Sequence, residues 1–234
     1  MVRKLAPPYK VYHIHTLVPE RIERRLGHFK KKYYSSFLLP ENIVCSRMLV
    51  KELSRHVSIP ATRVITMVRE PVSTVVSDWW ENNRKNYDPA ECDEKLLFGR
   101  LREFIGRSIH GRLDWFDNEL KRTLNFDVYT RKFDKKKGFS FYSPSKDAPD
   151  VLVVKLEKLK ECYTDALGKI FDEVDIPLGH ARTAGQKANY RYYQHIKNSV
   201  KLPEKLLDEI YGSKYTRHFY TDEEIRGYRR KYSE

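Results

Sequence analysis

The stretch that most constrains this chain is residues 62–82, TRVITMVREPVSTVVSDWWEN. Residues 62–68 form a β-branched, apolar run that reads as a buried strand. Pro71, with its preset φ and missing N–H, suits the first position of a helix. Val72, Val75, Val76 and Trp79 then continue with helical spacing. A strand, a short turn and a helix in that order aim free N–H groups and the positive end of the helix dipole beyond the strand. Arg69 adds a planar fork of donors at the strand end. Ser73 and Ser77 follow four and eight residues later, so both hydroxyls can share one side of the helix. Arginine, hydroxyls and helix start together make a phosphate cradle. A strand–helix turn with a solvated arginine has the same local pattern.

The chain has 234 residues, 40% hydrophobic and 33% charged. That is enough for one domain, 1–234, with a real core. No run approaches a membrane span, and the N-terminus lacks the apolar core of a signal peptide, so the expected location is cytoplasmic. The net charge of +13 favours an anionic partner, whether nucleotide, nucleic acid, acidic glycan or membrane surface. Cys45, Cys92 and Cys162 are widely separated and form no CxxC pair. They make neither a disulfide framework nor a zinc site.

Residues 10–17, KVYHIHTL, read as the first strand, with His13 and His15 on one side because side chains repeat every second residue. Such a pair offers general bases or, less readily, metal ligands; no third ligand cluster follows, so no metal is expected. Helical spacing covers part of 19–34 and all of 40–56, and delivers the chain to the strand at 62. That order is a βαβ crossover, which implies parallel strands. Residues 95–109 and 113–124 read as helices, 125–142 as a loop or small hairpin, and 151–156 as a strand ending at Glu157. Helices are expected from Glu157 to about 174 and over 186–198 and 203–211. Thr221-x-x-Glu224 is a capping box that starts the last helix. The expected fold is therefore α/β, a mostly parallel sheet flanked by helices. In such sheets ligands sit beyond the carboxyl ends of the strands, where His15, Arg69 and Glu157 fall.

These residues resemble the sulfotransferase family. Arg69-Glu-Pro followed by Ser77 and Asp78-Trp79-Trp80 resembles the segment that holds the 3′-phosphate of 3′-phosphoadenosine 5′-phosphosulfate. VYHIHTL resembles the His-x-His strand of glycan O-sulfotransferases, where a histidine is the catalytic base. VLVVKLEKL resembles the family's strand and "E-x-L" segment. The tail KYTRHFYTDEEIRGYRRKY, with WFDNELKRTLNFDVY, resembles bacterial-type carbohydrate sulfotransferases of the capsular polysaccharide synthesis kind. The resemblance implies a P-loop-NTPase-like sulfotransferase fold. It also departs from the family: the Gly/Lys/Ser/Thr-rich donor loop and its strand do not precede residue 11, and no GxxxxGK[ST] occurs. The expectation is a fold lacking its first strand and loop, and a chain that alone transfers sulfate poorly.

What the resemblance implies is transfer of a sulfuryl group from that donor to a carbohydrate hydroxyl. Arg69 and Ser77, with Ser73 beside them, would bind the donor. His15 would be the base and His13 its helper or substitute. Against this stands a non-catalytic protein that binds a nucleotide or an acidic glycan. A nucleic-acid-binding protein is the third reading, and no nucleic-acid motif supports it. The expected partners are thus a nucleotide donor and a carbohydrate acceptor, without nucleic acid or a membrane span.

Overall fold

The structure is a computed structural model that describes residues 13–32, 40–54, 63–84, 93–143, 149–171, 178 and 190–234. The elements in chain order are α1 (Pro19–Lys32), α2 (Glu41–Ser54), β1 (Arg63–Val68), α3 (Pro71–Asn83), α4 (Glu94–Leu113), α5 (Arg122–Leu124), β2 (Phe139–Tyr142), β3 (Asp150–Lys155), α6 (Leu159–Leu167), α7 (Tyr190–Ser199), α8 (Glu204–Tyr211), α9 (Lys214–Phe219) and α10 (Asp222–Tyr232).

The expected α/β architecture, a mostly parallel sheet flanked by helices in a P-loop-NTPase-like sulfotransferase fold, is overturned. The described residues are 68% helical, with a small mixed sheet of three strands. Its order is β1-β3-β2. β1 runs parallel to β3, with Val64 opposite Val151 and Val68 opposite Lys155. β2 runs antiparallel to β3, with Phe141 opposite Leu152. The expected strand at 10–17 is absent from the sheet where it is described: residues 13–18 are irregular, with a bend at His15, and 10–12 lie outside the described residues. The physical reason is where the hydrogen bonds go. Leu17 N–H and the Thr16 hydroxyl both donate to the Glu119 side chain rather than to a ladder. The expected parallel crossover from 10–17 to the strand at 62 therefore does not form.

β3 is central and buried on both faces, which its unbroken VLVV run requires. Val151 and Val153 face a large core with α3, α4 and the C-terminal helices. Leu152 and Val154 face a smaller one beneath α6. β1 was expected to be buried, but only one of its faces is covered: Ile65 and Met67 are 39% and 59% exposed. Gly138 makes the approach to β2 possible. Its φ is +82°, and a Cβ there would stand 2.4 Å from Lys158 Cβ.

Most helices form where the apolar spacing puts them, but the one expected from Glu157 to about 174 begins with a 3-10 turn and ends as α6 at Leu167, and residues 186–189 of the one expected over 186–198 lie outside the described residues. The helix expected over 113–124 divides: a π-helical turn covers Asp117–Lys121, and α5 ends on Asn125 in the left-handed region. α9 has no counterpart in the sequence reading. Ser213 caps it by accepting from Thr216 N. The capping box at Thr221 and Glu224 forms as expected.

Candidate functional site

The parallel register of β1 and β3 brings Arg69, Glu70 and Glu157 together at the carboxyl ends of the two strands. Glu70 is 1% exposed and caps α3. Its carboxylate accepts from Val72 N at 2.9 Å, Ser73 N at 2.6 Å, Tyr211 Oη at 2.8 Å and Tyr232 Oη at 3.2 Å. The donors at the start of α3, read in the sequence as open to a phosphate, are thus closed by the chain's own carboxylate. Ser73 is buried as well, and its hydroxyl lies 3.0 Å from Tyr232 Oη.

Arg69 and Ser77 stand differently. The Arg69 backbone is clamped by Tyr215, whose hydroxyl accepts from Arg69 N at 3.2 Å and donates to Arg69 O at 2.9 Å. The half-buried guanidinium makes no ion pair among the described residues, and Ser77 is half-buried with no hydrogen-bond partner among them. Glu157 Oε1 accepts from Glu70 N at 2.7 Å. Glu157 is exposed as a whole residue, but this bond draws its carboxyl inward. Burial raises the carboxyl's pKa, with the nearby Glu70 charge adding to it and the Glu70 N–H and Arg69 opposing.

A second cluster forms around the histidines. The His13 and His15 ring centroids are 5.1 Å apart. Glu119, 2% exposed on the π-helical turn, fastens the segment that carries them. It accepts from Thr16 Oγ1 at 2.7 Å, Leu17 N at 2.7 Å and Arg21 Nη1 at 2.8 Å. A wide turn of this kind re-aims side chains and is frequent at functional sites. The His15 pKa is lowered, first by burial, then by His13, Arg25 and Arg112, with Asp78 opposing. Asp78 on α3 and Arg112 in the last turn of α4 form an ion pair. The structure therefore brings His13 and His15 together with Asp78, Arg112 and Arg25, and Asp78 follows Ser77 in the chain. It does not bring Ser73 to an open site.

Asp78, Arg112, Arg25, Glu119, Glu70 and the tyrosines were not read as site residues. Their partners lie far along the chain, 103 residues for Thr16 and Glu119, and no local pattern encodes such a pairing. Lys155 did leave a signal, as a lysine inside an apolar strand. It is fully buried, pairs with Glu224 at 2.9 and 3.0 Å, and lies 4.7 Å from the Tyr220 ring centroid.

Burial and the nearby Arg25 and Arg112 favour the uncharged form of the His15 imidazole, which can take a proton. Among the described residues no three His, Cys, Asp or Glu side chains gather to hold a metal ion. Cys45 and Cys162 are free thiols; Cys92 lies outside the described residues. No described helix is long and apolar enough to cross a membrane.

No curated protein and no solved structure matches the chain. One family model does, over residues 93–221, which is more than half of the sequence. The match includes Arg112, Glu119, Glu157, Tyr211, Tyr215 and Tyr220, the residues that hold both clusters in place. The model's description names polysaccharide synthesis and does not mention sulfuryl transfer. The chain belongs to this family, NKWYS, described as "Putative capsular polysaccharide synthesis protein".

Proposed function

We propose that the chain transfers a sulfuryl group from 3′-phosphoadenosine 5′-phosphosulfate to a hydroxyl of a capsular polysaccharide or its precursor. The observation that carries this reading is the pair of histidine rings on the segment that Glu119 fastens, beside the Asp78–Arg112 pair, where burial and neighbouring cations lower the His15 pKa. A base that works near neutral pH needs such an imidazole. His15 would take the acceptor hydroxyl's proton, Asp78 would favour the imidazolium that forms, and His13 would be its helper or substitute. Arg25 and Arg112 would keep an anionic reactant close, because the charge in such a transfer spreads over peripheral oxygens.

The fit to the donor is partial. Among the described residues the Arg69 and Ser77 side chains have no hydrogen-bond or ion-pair partner, and they suit its 3′-phosphate. Ser73 and the first N–H groups of α3 are already engaged, so they have no part in this reading. The donor supplies the sulfuryl group; the chain's own residues bind, orient and move the proton.

That closed helix start favours one other reading, a non-catalytic protein that binds an acidic glycan or nucleotide through its arginines. Calorimetry with adenosine 3′,5′-bisphosphate and adenosine 5′-monophosphate, on the native chain and Arg69→Ala, separates the donor half of the proposal from this alternative. The proposal expects preference for the bisphosphate, and a loss of about 1.5–3 kcal/mol on Arg69→Ala. Equal affinity for the two nucleotides would remove the donor site. Glycan binding that survives Arg69→Ala would then leave the binding protein as the better account.

A further inference from the structure

The cations around His15 do not exhaust the net charge of +13. At another corner Lys201, in the link to α8, reaches Lys231 near the end of α10, and Lys197 in the last turn of α7 lies close enough for its charge to act on Lys231. The framework there is fixed. Leu202 N donates to Tyr232 O at 2.8 Å, and Lys201 Nζ donates to Lys231 O at 3.1 Å. The Lys231 ammonium lies 5.1 Å from the centroid of its neighbour Tyr232. All three lysines are half-buried, and none pairs with a carboxylate among the described residues.

Bringing like charges together while withdrawing them from water is unfavourable unless something answers the charge. The Lys231 pKa is lowered, by burial first and by Lys197 next, with Glu70 opposing. Glu70 offsets part of this through its charge but does not pair with Lys231, and its oxygens accept from Val72, Ser73, Tyr211 and Tyr232. Among the described residues no carboxylate pairs with these ammonium groups, which leaves their charge available to an anion from outside.

We propose that Lys197, Lys201 and Lys231 bind the oxyanion groups, carboxylate or sulfate, of an acidic glycan. The cluster shares no residue with the one around His15. Lysines act as point charges with three donors each and do not select a planar partner. They suit a flexible polyanion with repeated charges better than one ligand of fixed shape. The choice of a glycan rests on the polysaccharide reading above, but binding is read without any transfer reaction.

The test is titration of the full chain with a sulfated oligosaccharide, a polyuronate and inorganic sulfate. The triple variant Lys197→Gln, Lys201→Gln, Lys231→Gln is set beside a control with the same charge change, Lys136→Gln, Lys160→Gln, Lys169→Gln, at exposed positions. The proposal expects the first variant to lose about tenfold or more in affinity for the acidic glycans and the control to lose under about threefold. Binding to either glycan supports it and identifies the oxyanion. Equal loss in both variants would show a general charge effect and overturn the site. So would inorganic sulfate displacing the glycan at equal concentration of anionic groups, which would mark a small-anion site. Folding is controlled by melting temperature. Relief of repulsion should leave Lys231→Gln at least as stable as the native chain, and added sulfated oligosaccharide should raise the melting temperature of the native chain more than that of the variant. An equal rise in both would also overturn the proposal.

Discussion

Glu119→Gln tests how the histidine segment is held. In the native chain Oε1 accepts from Thr16 and Arg21, while Oε2 accepts from Leu17 N, all at 2.7–2.8 Å. The variant keeps one carbonyl oxygen and turns an NH₂ toward the Leu17 N–H. A buried donor then faces a donor, which costs about 1–3 kcal/mol. Loss of the charge facing Arg21 adds under about 1 kcal/mol, because the arginine is one-third exposed and screened by water. The total is about 1–4 kcal/mol, with the bond to Thr16 preserved. Urea unfolding should show a lower midpoint with an unchanged slope. NMR titration should show the His15 pKa moving back toward 6.5 as the segment loosens and the imidazole regains water. A stability change under about 0.5 kcal/mol, with His15 titrating as before, would refute the argument that Glu119 holds the histidines in place.

Three further outcomes follow from the same contacts. Tyr211→Phe removes a hydroxyl that donates to the buried Glu70 carboxylate and should cost about 1.5–3 kcal/mol in chemical denaturation; Tyr190→Phe, at the surface, should stay within about 0.5 kcal/mol. Lys155→Met removes the buried partner of Glu224 and should cost about 2–4 kcal/mol by the same measurement, less than for a fully buried pair because Glu224 is 26% exposed. With the His15 pKa lowered in the folded state, the unfolded chain binds more protons between that value and 6.5. Stability should therefore fall as pH drops through this window and be fully present above it; melting curves of His15→Gln should show a weaker fall.

Much of the chain could be read locally. The capping box at Thr221, the Pro71 helix start and the apolar strands read at 62–68 and 151–156 each need only a few neighbouring residues to declare themselves. The fold class could not be read this way. KVYHIHTL alternates like a strand, yet Thr16 and Leu17 bond to Glu119, more than a hundred residues on. The site followed the same division. The pairing of His13 with His15 shows in the spacing, and the structure keeps the rings together. The closure of the α3 start by Glu70 does not show, because an acidic cap beside an arginine looks the same whether tyrosines from residues 211 and 232 reach it or solvent does. Ser73 was misplaced for that reason: helical spacing gives its face but not that Tyr232 covers it.

The most direct test is transfer of radiolabelled sulfate from 3′-phosphoadenosine 5′-phosphosulfate to a capsular oligosaccharide, with the native chain and His15→Ala at neutral pH and with bisphosphate affinity measured alongside. The account predicts labelled glycan with the native chain, formed slowly because the sequence carries no GxxxxGK[ST] donor loop. With His15→Ala it predicts a loss of about a hundredfold or more in rate and unchanged bisphosphate affinity. Equal rates in the two chains, or no labelled glycan from the native chain, would contradict the assignment of sulfuryl transfer to the His15 cluster.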